Sequence, residues 1–299
     1  KRVAPMNDVA VVGAGLAGCE AAYQLAERGV GVTLYDMKPS KLLAAYESAD
    51  FAELVCSNSL RSDRLQNAAG LLKEELRRLG SMIIQAADEN RVPAGGALAV
   101  DRVGFSRDVT RLVRSHPLIT VVEEEVREIP ECASIIATGP LTDGALMDSI
   151  ESLLGESMHF FDAAAPIVTY DSLNMDKVFM ASRYGRGSDY LNCPMNKEEY
   201  FSFVEALKAA DTAVLREFED IKVFEGCMPV EVMAKRGDMT LAFGPLKPVG
   251  LMDERRTEKP FAVVQLRRDD ADGRLYNMVG FQTNLKFGEQ KRVFSMIPG

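Results

Sequence analysis

Six residues near the start of the chain, Gly13-Ala14-Gly15-Leu16-Ala17-Gly18, fit the pattern G-x-G-x-x-G. That spacing does chemistry where a strand turns into a helix. The first glycine permits the tight turn, the second lets a pyrophosphate approach the backbone, and the third lets helix and strand pack closely. The amides that open such a helix face the anion, and the helix dipole adds roughly 0.3 to 2 kcal/mol. From Asp8 to Val12 the residues are mostly small or β-branched and apolar, as in a parallel strand buried on both faces. About Ala17 to Arg28 reads as a helix with Ala21, Ala22, Leu25 and Ala26 along one side and Gly29 as its left-handed cap. Val30 to Tyr35 is then a second strand, closed by Asp36 where an acid bonds a ribose hydroxyl, with Met37 beside it. The plain alternative is a compact turn and a solvated strand end. The motif by itself does not separate FAD from a nicotinamide cofactor.

The other reactive side chains are thiols. Cys19, Cys56, Cys132, Cys193 and Cys227 form no CxxC pair and no Cys/His cluster, so neither a disulfide framework nor a metal site is expected. Cys19 and Cys132 read as small buried hydrophobes, and Cys193, before a proline, stays undecided between loop shaping and chemistry. His116 and His159 lack a partner pattern for general-base work, and a hydrolase triad is not supported.

The elements that must position these groups follow from periodicity. Residues 64 to 89 carry Leu71, Leu72, Leu76, Leu79 and Ile83 at helical spacing, which predicts one amphipathic packing helix. Val92 to Val100, broken by Pro93 and Gly95-Gly96, predicts a loop leading into a strand, and Ser106 to Ser115 a helix. Leu118 to Val122 and Ser134 to Ala137 read as strands. Beyond about residue 163 apolar and polar residues alternate at Pro166 to Tyr170 and Phe261 to Leu266, around a helical stretch near Glu198 to Ala210. The expected fold is α/β: a Rossmann-like parallel-sheet domain over residues 1–163 and a second, mixed α+β insertion domain over 164–299.

Two further patterns sharpen the chemistry. Ile135-Ile136-Ala137-Thr138-Gly139-Pro140 resembles the strand-plus-ATG signature of two-dinucleotide flavoproteins, which favours FAD. Residues 55–63 (VCSNSLRSD), 93–102 (PAGGALAVDR), 190–195 (YLNCPM), 224–231 (FEGCMPVE), 244–250 (GPLKPVG) and 279–285 (VGFQTNL) together resemble the TrmFO family of folate- and FAD-dependent tRNA (uracil-5-)-methyltransferases. The resemblance implies that methylenetetrahydrofolate gives its methylene carbon to reduced FAD, which passes it to C5 of the T-loop uridine of tRNA. NADH or NADPH would supply the reducing equivalents. It further implies Cys227 as the nucleophile that adds at C6 of uracil to activate C5. Cys56 would act across the flavin as proton acceptor or shield. Arg61, Gly95 and Gly96 would approach the cofactor, although an exposed arginine is the ordinary alternative for Arg61. At an ordinary thiol pKa only about 3% is ionised at neutral pH, so the fold must help. Glu225 and Glu231 would oppose ionisation and Lys235 and Arg236 favour it, with the balance left open by the sequence.

Composition bounds the rest. The chain is 47% hydrophobic and 26% charged, with a net charge of -9 that disfavours generic polyanion binding. Basic pairs at Lys235-Arg236, Arg255-Arg256, Arg267-Arg268 and Lys291-Arg292 either share a face that holds tRNA phosphates or are scattered solvated charges. No apolar run approaches the roughly 20 residues of a membrane span, and a cytoplasmic location is expected. The oligomeric state is not legible. Members of the resembled family continue with a further glycine-rich segment over the flavin, so FAD binding by residues 1–299 alone is expected to be weak or lost. A flavin oxidoreductase without methyl transfer, or an inactive tRNA-binding fragment, are the competing expectations.

Overall fold

The computed structural model describes residues 8–42, 46–140, 142–155, 165–185, 187–213, 228–253, 255 and 257–299. The chain forms two compact units. The first gathers Lys1–Val55, Leu65–Asn90 and Arg102–Phe160, and the second gathers Cys56–Arg64, Arg91–Asp101 and Phe161–Gly299. Two short excursions from the amino-terminal part, 56–64 and 91–101, therefore belong with the second unit.

In the first unit β1 (Val9–Val12), β2 (Val32–Tyr35), β6 (Ile119–Val122) and β7 (Ser134–Ile136) make a parallel sheet in the order β6-β2-β1-β7. The central strands are buried, as parallel strands covered by helices must be. Helix α1 (Leu16–Glu27) lays Gly18, Cys19, Ala22 and Ala26 against the sheet. It ends as expected at Gly29, whose φ is +79°. Val30 donates its amide to Leu25 O and Gly29 to Ala26 O, the paired bonds of a Schellman cap.

The single helix expected over 64–89 is two: α2 (Ala68–Arg78) and α3 (Met82–Glu89). Gly80 takes φ +74° and Ser81 caps α3 by accepting from the Ile84 amide at 3.2 Å. Glu20 of α1 then accepts from Ser81 Oγ at 2.8 Å and from the Ile83 amide at 2.9 Å, docking the break onto α1. The leucine stripe does not pack as expected either. Leu71, Leu72 and Leu79 are 49%, 56% and 70% exposed, and the buried positions of α2 are Gly70 and Lys73. Helix α4 (Arg102–Ser115) starts earlier than predicted, and α5 (Gly144–Leu154) follows the sheet.

The second unit holds two antiparallel sheets. β3 (Ser59–Ser62), β5 (Ala97–Val100) and β4 (Arg91–Val92) pair in that order. The larger sheet runs β8 (Ile167–Thr169), β12 (Leu275–Met278), β11 (Ala262–Arg268), β10 (Tyr190–Met195), β9 (Phe179–Met180). The alternation read in Phe261 to Leu266 does not mark a half-solvated strand, because β11 is buried on both faces. Ala262, Val264 and Leu266 join the main core with Tyr200, Phe203 and Phe281, while Val263 packs with Phe179 and Leu251. Helix α6 (Lys197–Lys208) covers the sheet and opens with a reciprocal capping box between Asn196 and Glu199. Helices α7 (Val230–Lys235), α8 (Thr240–Phe243) and α9 (Phe287–Phe294) complete this unit among the described residues. No described helix is long and apolar enough to cross a membrane, and no group of metal-ligating side chains occurs among the described residues.

Candidate cofactor site

The glycine turn sits where the sheet changes direction, at the carboxyl ends of β1 and β7, the place an open α/β sheet offers a ligand. Gly13 has φ +100°, and a Cβ there would lie 2.6 Å from Ala137 O. A Cβ on Gly18 would lie 1.8 Å from Gly13 O. Both glycines thus allow β1, α1 and the 137–139 loop to close on one another. Gly15 differs: its nearest neighbour to a built Cβ is Ala137 O at 4.0 Å, so its bareness serves the open side of the turn. Gly15 is the cap residue of α1 and no side chain bonds the helix start. The amides of Leu16, Ala17 and Gly18 have no intrahelical acceptor.

Asp36 is tied to this turn directly. Its Oδ2 accepts from the Ala14 amide at 2.6 Å and its Oδ1 from the Lys38 amide at 2.9 Å. A carboxylate retains acceptor capacity after two such bonds, and Asp36 lines the cavity.

Beside the turn lies a cavity of about 340 Å³, within the range of small-ligand sites. Gly13 to Ala17, Asp36, Met37, Ala137, Thr138 and Gly139 all line it, while Gly18 is buried behind the turn. The Ala137 amide bonds Val12 O at 2.7 Å and Thr138 Oγ1 lies 2.6 Å from Thr142 Oγ1, which fixes the loop after β7. The fit to a dinucleotide therefore rests on two steric clearances and an open row of amides.

The cavity also has walls that sequence reading missed. Lys38 is buried, with Nζ donating to Asp50 O at 2.8 Å and Glu53 Oε2 at 3.1 Å and lying 4.1 Å from the centre of the Tyr46 ring. Burial is the main cause that pushes the Tyr46 hydroxyl pKa up, with Asp36 and Glu53 adding to it. Glu124 and Glu125 come from the loop after β6, and Lys41 bonds Glu125, holding its carboxyl below the usual range. No local pattern marks these residues; only the tertiary fold collects them.

Arg61, Gly95, Gly96 and Cys56 belong to the second unit and are described within it. Arg61 is exposed in the second unit with φ +69°. Gly95 and Gly96 form the β4–β5 turn of that unit, where the Gly95 amide bonds Asp189 Oδ2 at 2.7 Å and a Cβ on Gly96 would lie 2.3 Å from Arg64 Nε. Cys56 is half-buried in the same unit. Cys227, Glu225, His159 and Arg256 lie outside the described residues. Glu231 is buried and already engaged, accepting from Thr283 Oγ1 and the Asn284 amide, both at 2.8 Å. Cys193 is a core residue whose thiol burial pushes up to about 12, and burial likewise pushes up Cys19, so both are held as neutral thiols. Cys132, expected to be buried, is exposed. His116 packs edge-on to Tyr23 and pairs with Glu27 at 3.1 Å. Of the basic pairs, Arg267 is buried and bonded to Ser57 and Asn58, so it is no phosphate contact. Arg255 and Arg292 pair with Asp253 and Glu289.

The sequence matches the family described as Glucose inhibited division protein A over residues 8–299. A protein of Listeria monocytogenes serotype 4b, named methylenetetrahydrofolate-tRNA-(uracil-5-)-methyltransferase TrmFO, is 62% identical over 98% of this chain and 68% of its own length. A protein of that name from Acetivibrio thermocellus is 60% identical over 97% and 67%. This chain thus spans about two thirds of the length of these relatives. Among solved structures, Aquifex aeolicus GidA in its form I crystal has a TM-score of 0.67 at 13% identity, covering 98% of this chain and 55% of that one, a likeness of fold.

Proposed function

The chain belongs to the family described as Glucose inhibited division protein A, and within it to the TrmFO tRNA methyltransferases; we propose that it works with FAD to form 5-methyluridine in the T-loop of tRNA. Methylenetetrahydrofolate is the carbon donor in this reading and NADH or NADPH the reductant. The observation that carries it is the glycine turn: Gly13 and Gly18 closed on their neighbours, Gly15 open, and the α1 amides unpaired within the helix beside a cavity ended by Asp36.

FAD, when bound, supplies a carrier for the one-carbon unit and the electrons that complete a methyl group. The amides of Leu16 and Ala17, which open α1 beside the cavity, would hold its diphosphate, since first-turn amides and the helix dipole both favour an anion. Asp36 would accept from a ribose hydroxyl while keeping the turn amide of Ala14. Ala137, Thr138 and Gly139 let the chain pass close to the ligand. Cys227 is the residue we assign to uracil: its thiolate adds at C6, the C5=C6 electron pair moves to C5, and C5 becomes nucleophilic. Once C5 has bonded the one-carbon unit, Cys56 is assigned to receive the C5 proton, after which elimination breaks the S–C6 bond, restores C5=C6 and returns the thiolate. The reductant would supply the two electrons that make the carbon a methyl group.

The test is transfer of label from [14C]methylenetetrahydrofolate to a tRNA transcript, with Cys227→Ala and Cys56→Ala alongside the parent. The reading expects label at the T-loop uridine with the parent and none with Cys227→Ala. Label-free tRNA from a flavin-loaded parent, or undiminished transfer by Cys227→Ala, would overturn it.

A further inference from the structure

The two residues that follow Cys56 are clamped by one buried arginine. Arg267, on the central strand β11, is 6% exposed. Its Nε donates to Asn58 Oδ1 at 3.0 Å and its Nη2 to Ser57 Oγ at 2.8 Å. Asn58 is fully buried and its Nδ2 donates to Val100 O at 2.9 Å and Arg268 O at 2.8 Å. Its carbonyl accepts from the Val100 amide at 3.0 Å. Asn58 is thus fastened by main chain and side chain to both sheets of the second unit, and the guanidinium fork holds Ser57 and Asn58 together. Arg267 lies opposite Tyr190 in the β10–β11 register, and Tyr190 Oη donates to Ala94 O at 2.9 Å.

We propose that Arg267 is a positioning residue that sets where the Cys56 thiol stands for methyl transfer. Consecutive Cα atoms across a trans peptide stand about 3.8 Å apart, so pinning residue 57 leaves residue 56 little freedom beyond its own torsions. The rigid guanidinium reaches the two acceptors from two different nitrogens, Nε and Nη2, whereas a lysine ammonium donates from a single nitrogen on a flexible stem and does not reproduce that spacing. The guanidinium is buried and two of its nitrogens bond this loop.

The proposal rests on the catalytic reading of Cys56, and the test separates the two. Parent, Arg267→Lys and Ser57→Ala proteins are compared by circular dichroism, by kcat and KM for tRNA, and by the plateau rate of Cys56 alkylation with iodoacetamide at alkaline pH. Peptide mass spectrometry reads Cys56 apart from the other thiols. Folded Arg267→Lys is expected to lose on the order of tenfold or more in kcat with KM for tRNA unchanged, since small misplacements of reacting groups are costly. Its Cys56 alkylation should rise severalfold as the loop loosens. Ser57→Ala, which removes one acceptor only, should move both readouts in the same direction and decides the matter if Arg267→Lys does not fold. Folded variants with parental kcat and a parental Cys56 plateau would overturn the proposal. Full methyl transfer by Cys56→Ala would overturn the catalytic reading of Cys56 and with it the purpose of the clamp, whereas the alkylation comparison, which does not depend on turnover, still decides whether Arg267 positions the thiol.

Discussion

The amide of Ala14 donates to Asp36 Oδ2 at 2.6 Å, so the acid that ends the second strand is bonded to the turn that follows the first. One carboxylate therefore fixes the turn and stands beside the cavity. Asp36→Ala removes a charged acceptor from the Ala14 and Lys38 amides, a loss of about 1.5 to 3 kcal/mol per bond to a charged group. A lower Tm by thermal melting and a weaker flavin affinity by fluorescence titration are expected together, with Asp36→Asn between the two.

Gly18→Ala should damage the fold itself. A methyl group there would lie 1.8 Å from Gly13 O, a backbone atom that cannot swing aside. Displacing α1 from β1 costs about 1 to 3 kcal/mol or more, read as a fall in Tm and in denaturant midpoint. A melting curve unchanged by Gly18→Ala would show that the helix does not approach the strand this closely.

The Lys38–Glu53 pair, with side chains 7% and 14% exposed, is a buried charge pair. Glu53→Ala should cost about 3 kcal/mol, the lower end for removing one partner, since Asp50 O and the Tyr46 ring still face the ammonium. Lys38→Met combined with Glu53→Ala should recover part of that loss in a double-mutant cycle, because the stranded charge is gone.

Alkaline pH should expose the buried thiols energetically. Cys193 is raised from 9.0 to about 12 by burial, so the folded state keeps the proton that the unfolded chain releases. Its contribution is whole below its ordinary value and is lost as pH rises toward 12, by about 1.4 kcal/mol per unit. Cys193→Ala should flatten the fall of stability between those limits in urea titrations at successive pH values.

Much of the first unit was legible because its signals are local. The glycines, the strand before them and Asp36 lie within one strand-helix-strand stretch, and each has a stereochemical reason to be where it is. The break at Gly80-Ser81 was also written in the chain, as a left-handed glycine before a capping serine, but continuous leucine spacing masked it. What periodicity does not carry is which face finds a partner, and Leu71, Leu72 and Leu79 are exposed for that reason. Arg267 and Arg268 read as one basic pair, whereas strand geometry sends successive side chains to opposite faces and Arg267 into the interior. The contacts Asn58–Arg267 and Lys38–Glu53 belong to tertiary packing, and no spacing rule announces them.

In the proposed function the amides after β1 hold a diphosphate. Gly15→Ala tests it most directly, since its φ is −76° and its nearest neighbour would be 4.0 Å away, so the fold has no reason to suffer. FAD titration followed by flavin fluorescence, with Tm measured on the same samples, is predicted to show saturable binding by the parent and loss of binding by Gly15→Ala at an unchanged Tm. Equal affinities for the two proteins would contradict the account.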